Sequence, residues 1–281
     1  MSDKLKKRRE ILVRVLLVLS ILAVVAVEIW YRLIDSPTEL TTDLYSSLSR
    51  LFGTAVALVF MLEFSLGRIL RPLGNKRASA ILYILPAFAI AINNFPWVSF
   101  LAGDCSMSAS AHDILFYAFM CLCVGLFEEI AFRGCVLMLL LKKRTGSKLE
   151  VFMAIFWSSV VFGAVHLVNL FTSSPVAVLL QIGYSALIGG LCSLVLLETG
   201  SVWACVLVHA VYNFSGGVVP RLGEGTIWTA PEVALTAILA VIVIVYCVWR
   251  FVTMPQDSAK NLFLENISSL MSILMKRMFL D

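Results

Sequence analysis

An all-α, polytopic membrane fold is what this sequence predicts, and three observations carry the prediction. Hydrophobic residues make up 60% of the 281 residues, charged ones only 14%, and the mean hydropathy is +0.94. Such a composition belongs to integral membrane proteins. The apolar residues also fall into blocks of about 20, the length that crosses a bilayer as a helix, and there is room for about eight of them. Finally, lysine and arginine collect in alternate connections between the blocks.

The elements follow in order. The first block, Ile11–Ile34, is preceded by Lys4, Lys6, Lys7, Arg8 and Arg9. Its apolar core outruns the ~7–15 residues of a signal-peptide core and no small-residue cleavage site follows, so it reads as an uncleaved first helix. The next blocks are Leu51–Leu70, Ala78–Phe100 and the long Ile114–Leu141. Val151–Phe171, Pro175–Leu197, Ser201–Val219 and Glu232–Val252 complete the set. Residues 1–258 read as one polytopic domain whose motif-bearing core is 114–219. The tail 259–281 alternates Leu, Phe, Ile and Met with Lys, Asn and Ser, as an amphipathic helix lying on the cytoplasmic leaflet does.

Sidedness follows from the cations, which are retained on the cytoplasmic face. The N-terminus is basic, and so are the second connection (Arg71, Lys76, Arg77) and the fourth (Lys142, Lys143, Arg144, Lys148). The first and third lean acidic, with Asp35, Glu39 and Asp43, then Asp104 and Asp113. Both termini are therefore expected in the cytoplasm of a plasma-membrane protein, which needs an even number of spans. The net charge of +4 expresses this sidedness and gives no reason to expect nucleic acid as a partner. The expected partners are the lipid bilayer and a membrane-associated peptide or protein. The seven cysteines (105, 121, 123, 135, 192, 205, 247) form neither a disulfide framework nor a metal knuckle, and read as small apolar side chains. Cys105 alone falls in an expected outer loop.

Chemistry is concentrated in three places. Glu128 and Glu129 lie inside the fourth apolar block, where each ionisable side chain costs roughly 2.5–3.5 kcal/mol to insert. Glu129 and Arg133 are one helical turn apart and can pair, whereas Glu128 points about 100° away and has no partner on its own helix. His166 ends Phe162-Gly-Ala-Val-His166 in the fifth block, and His209 and Asn213 share a face of the seventh. Taken singly, a membrane histidine or asparagine is ordinary interhelical glue, and Glu129–Arg133 a structural clamp. Glu63, Asn93 and Asn94 are read in that way, or as lining a watery crevice, and left outside the site. Together, two carboxylates, two histidines, an amide and an arginine at intermediate depth form a set able to activate water and stabilise an oxyanion.

The ordered motifs Glu128-Glu129-Ile-Ala-Phe-Arg133, Phe162-Gly-Ala-Val-His166 and His209-Ala-Val-Tyr-Asn213 resemble those of the CAAX-protease and bacteriocin-processing (CPBP, or Abi) family, which includes the type II CAAX prenyl endopeptidases. The resemblance covers roughly residues 114–219. It implies about eight helices bundled around a polar intramembrane cavity open to the cytoplasm, and a glutamate-type intramembrane endopeptidase. Glu128 with His166 would polarise the attacking water, His209 and Asn213 would form the oxyanion hole, and Glu129 and Arg133 would hold their helix in place. No cofactor is needed for this chemistry. The rival mechanism places Zn2+ on Glu128, His166 and His209. Rival functions are a non-catalytic membrane scaffold or bacteriocin-immunity protein and, on the intramembrane charges alone, a transporter. The substrate is a membrane-associated or leader peptide whose identity the motifs do not specify.

Overall fold

The computed structural model describes residues 39–71, 77–142, 144–171 and 173–263, with scattered positions between 8 and 30. Part of the first expected span, including 31–34, and residues 264–281 of the expected tail lie outside the described residues. The helices that build and surround the site are α1 (Glu39–Glu63), α2 (Arg77–Ile92), α3 (Trp97–Ala102), α4 (Ala111–Glu129), α5 (Lys148–Val165), α6 (Pro175–Thr199), α7 (Val202–Leu222) and α8 (Ala230–Thr253). α4 runs on through π-helical turns over Ile130–Leu137 to Leu141, and α5 tightens into 3-10 turns over His166–Phe171.

Among the described residues, six helical stretches are long and apolar enough to cross a membrane: Thr41–Glu63, Ala111–Leu141, Lys148–Phe171, Pro175–Thr199, Val202–Leu222 and Ala230–Thr253. The protein is an all-α integral membrane protein. Their limits are written in the sequence. Ser110 and Ser147 each accept a hydrogen bond from the third residue of the helix they start, and Asp113 and Glu150 reach back to close both capping boxes. Ser174 caps α6 ahead of Pro175, and Gly200 ends α6 at φ 68°, a left-handed conformation that suits glycine.

Two expected spans come out differently. Ala78–Phe100 is a 16-residue α2 followed by a turn and the short α3. Pro96, which has no N–H to donate and restricts the residue before it, ends the run. The second span starts at Thr41, not Leu51, and its helix ends at Glu63. The polar stretch assigned to a loop is helical, because Leu44, Leu48, Leu51 and Phe52 recur at helical spacing and face outward.

α4 is central, packed between α1 and α7, while α5 pairs with α6. α8 lies outermost, with Ile238, Val241, Ile242, Val245 and Val248 exposed as on a lipid-facing surface. The helix ends sort into two faces. On one, Lys142 Nζ donates to Phe64 O (3.1 Å), Trp203 Nε1 to Leu70 O (2.6 Å), and Arg250 Nε to Glu198 Oε1 (2.9 Å). On the other, Cys105–Met107 (β1) pairs antiparallel with Gly223–Gly225 (β2), Cys105 opposite Gly225. This small ribbon, unexpected in an all-α reading, ties the α3–α4 connection to the end of α7. Glu232 adds to it by accepting from the N–H groups of Val98 (2.9 Å) and Ser99 (3.0 Å) at the start of α3.

Candidate active site

A cavity of about 550 Å³ opens among α1, α4, α5, α6 and α7, and Glu128, His166, His209 and Asn213 all line it. Glu129 and Arg133 do not line it. They lie behind its wall, 0% and 1% exposed.

The helices bring these groups together through close backbone approaches. Gly125, one turn before the glutamates, lies against α7: a Cβ there would stand 3.0 Å from Val206 O and 3.2 Å from Ala210 N. With α4 and α7 so close, Glu129 reaches His209 directly, Oε1 to Nδ1 at 2.6 Å. The other ring nitrogen, Nε2, lies 3.5 Å from Glu128 Oε2. The imidazole of His209 is thus set between the two carboxylates, itself only 3% exposed.

The same Glu129 Oε1 lies 3.0 Å from Arg133 Nη1, so the ion pair expected along α4 is present. Arg133 also packs its guanidinium over the ring of Phe162, 4.5 Å from the centroid. Gly189 on α6 makes room for both, since a Cβ there would meet Arg133 Nη2 at 3.1 Å and Phe162 Cδ1 at 3.3 Å. Arg133 is therefore enclosed by a carboxylate, an aromatic face and a glycine, with no access to lipid. Losing one member of such a pair costs about 3–5 kcal/mol, because the survivor is left charged in a dry site.

Phe162 is the common wall of the site. Its ring stands edge to face with His166 (5.3 Å between centroids) and with His209 (5.8 Å), and against Phe132 (4.9 Å). His166 caps the C-terminus of α5, one turn nearer the cavity mouth, with Nδ1 3.0 Å from Phe162 O. That contact turns Nδ1 to the backbone and leaves Nε2 as its chemically available nitrogen.

Sequence reasoning missed part of the lining. Thr42, Asp43, Ser46 and Arg50 recur at helical spacing on α1 and all face the cavity. Asp43, taken for a loop residue, is buried and pairs with Arg221 at the end of α7. The outward apolar stripe of residues 44–52 was the available signal. Asn94, read as glue or as lining a watery crevice and left outside the site, does both: it lines the cavity, and its Nδ2 donates to Tyr212 O at 2.9 Å.

Among the described residues, no three His, Cys, Asp or Glu side chains converge as metal ligands. Glu129 holds His209 Nδ1 and Phe162 O lies 3.0 Å from His166 Nδ1, which leaves the Nε2 atom of each imidazole for other contacts.

In comparison with known proteins, residues 110–215 match the family model of the type II CAAX prenyl endopeptidase Rce1-like proteins. All three motifs fall within that stretch. No curated protein and no solved structure matches the chain.

Proposed function

We propose that the chain, whose residues 110–215 match the Rce1-like family model, is an intramembrane peptidase that hydrolyses a peptide bond of a membrane-associated or leader peptide at the six motif residues. Glu128 is the base. It takes a proton from a water that His166 helps to orient, and the resulting hydroxide attacks the scissile carbonyl. His209 Nε2 and Asn213 donate to the developing oxyanion, each donor worth ~2.7–4 kcal/mol in such sites. With Nδ1–H given to Glu129, Nε2 donates in the imidazolium form, and the two carboxylates flanking the ring provide its counter-charge. The proton held by Glu128 then passes to the leaving amine. Glu129 and Arg133 orient the ring and do not touch substrate.

The observation that carries this reading is the buried His209 imidazole held between Glu129 (2.6 Å) and Glu128 (3.5 Å) at the cavity wall. A structural clamp needs one carboxylate; the second, Glu128, also lines the cavity. We assign the basic connections and both termini to the cytoplasm of the cell membrane, on the distribution of cations.

Glu128→Gln keeps the size of the side chain and removes the base. Purified variant protein is expected at wild-type yield, with peptide cleavage in detergent reduced by at least the 10²–10⁴-fold attributed to general base catalysis, or roughly that range. Wild-type turnover by this variant would remove Glu128 from the role.

A further inference from the structure

We propose that Asn169 and Gln181, with Tyr184 beside them, form a subsite for the extended backbone of a peptide, two residues from the bond that is cut. The place of that peptide as substrate rests on the peptidase reading above; the subsite itself is a claim about binding and is tested as one.

The subsite begins with the way α5 ends. Over His166–Phe171 the chain makes 3-10 turns, which have about three residues per turn and rise about 2.0 Å per residue. Residues i and i+3 are then eclipsed, whereas an α-helix would set them about 60° apart. Asn169 therefore stands in line with His166, about 6 Å further along, and both line the cavity.

α6 meets this stretch from the side. The two helices touch at Gly163, where a Cβ would stand 3.0 Å from Ile182 O. Gln181, next to Ile182, comes within reach of Asn169, whose Nδ2 donates to Gln181 Oε1 at 2.7 Å. Tyr184, one turn further along α6, lines the same cavity. Its ring centroid lies 6.3 Å from that of Tyr212, the neighbour of Asn213, so a polar wall joins the amide pair to the oxyanion donors.

The chemistry of the pair suits a main chain. A primary amide carries one carbonyl acceptor and two N–H donors. The bond between Asn169 and Gln181 uses a lone pair of Gln181 and neither of its N–H groups. The Tyr184 phenol accepts one of these, and a peptide carbonyl is the natural partner of the other. Both amides are uncharged, so the pair reads a group that every residue possesses. Spacing supplies the register. An extended chain advances about 3.2–3.4 Å per residue, so carbonyls two residues apart nearly match the ~6 Å between His166 and Asn169. With the scissile carbonyl at the water held by Glu128 and His166, the carbonyl two residues away falls at the amide pair. A pair that only joined α5 to α6 would need neither the alignment with His166 nor a place on the cavity wall.

Backbone esters test this, because an ester keeps the shape of the chain while removing one N–H and weakening the carbonyl as an acceptor. A fluorescent decapeptide is selected from a synthetic library by its binding to Glu128→Gln protein in detergent, and its scissile bond is located by mass spectrometry with wild-type protein. An ester is then placed at each bond in turn. The ester whose carbonyl lies two residues from the scissile bond is expected to raise Kd about tenfold, and those further away less than about twofold, the range that one hydrogen bond allows. In the Gln181→Leu background that ester should cost nothing more. Asn169→Leu, which removes the group that orients Gln181, should blunt the same position and serves where Gln181→Leu does not fold. An equal cost at every bond, a maximum at another distance, additive losses from the ester and Gln181→Leu, or a library with no bound member each overturn the subsite. An ester-sensitive bond silenced by Gln181→Leu, without Glu128-dependent cleavage by wild-type protein, keeps the amide pair as a backbone-binding site and sinks the peptidase reading instead.

Discussion

Glu129, the fully buried glutamate, makes the shorter contact with His209: Oε1 lies 2.6 Å from Nδ1, against 3.5 Å between Glu128 and Nε2. The two glutamates of the motif therefore divide the imidazole between them. One fixes its orientation from behind, and the other faces the same space as its second nitrogen. Adjacent residues on a helix point about 100° apart, which is the separation needed to approach one ring from two sides.

Glu129→Gln should act through His209. The amide preserves size but offers a weaker, neutral acceptor, so kcat is expected to fall by roughly 10²-fold or more with little change in KM. In a double-mutant cycle, Glu129→Gln should add almost nothing to His209→Ala, since residues acting as a unit are non-additive. Additive losses would show that Glu129 acts elsewhere.

Arg133→Ala should lower the amount of folded protein as well as its activity. It leaves Glu129 in a site that is 0% exposed and opens space against Phe162, with an expected cost of about 3–5 kcal/mol. Abundance in membranes and thermal aggregation in detergent are the measurements. Wild-type values for both would refute the clamp.

Gly125→Val should separate the two helices that carry the site. The nearest atoms to an added Cβ are backbone, Val206 O and Ala210 N, which have no rotamer to yield. Activity is expected to fall by more than tenfold while Gly183→Ala, where nothing lies within 4 Å of the added Cβ, stays at the wild-type level. Equal effects of the two would dissociate helix proximity from catalysis.

Stripping transition metals should leave peptide cleavage in place. The proposed base and donors need no metal ligand. Elemental analysis of active protein, with assay after a strong chelator, checks this. Stoichiometric zinc whose removal abolishes activity and whose return restores it would convert His166 and His209 into ligands.

Cys105 should react slowly for a loop cysteine. It is free and 5% exposed within β1, and burial, followed by the nearby Asp104 and Glu232 charges, pushes its thiol pKa up. Its thiolate fraction near neutral pH is thus below that of an ordinary cysteine, and its maleimide rate should keep rising at pH values where Ser106→Cys, on the exposed neighbour, has levelled off. Matching pH profiles would contradict the shift.

The site was legible in the sequence to the extent that it is local. Glu129 and Arg133 one turn apart, and His209 and Asn213 likewise, are consequences of helical pitch and need no tertiary knowledge. The Glu129–His209 contact was not legible, because it depends on how far α4 and α7 approach and on the rotation of each. Gly125 permits that approach, but a glycine in an apolar run has many readings. The length of α1 was misjudged because hydropathy measures the lipid-facing stripe and is diluted by the cavity-facing Thr42, Asp43, Ser46 and Arg50. The break in the third expected span was written in Pro96, but an apolar stretch on both sides of it concealed the turn.

Glu129 and the His209 that completes its environment are 80 residues apart. At ~5–20 residues per second, a ribosome needs on the order of 4–16 s to synthesise that stretch. During this interval α4 already carries its own counter-ion in Arg133, so it can enter the bilayer without α7. The catalytic geometry is absent until the seventh helix arrives. The nascent chain is consequently insertable before its site is assembled, a delay imposed by motif order.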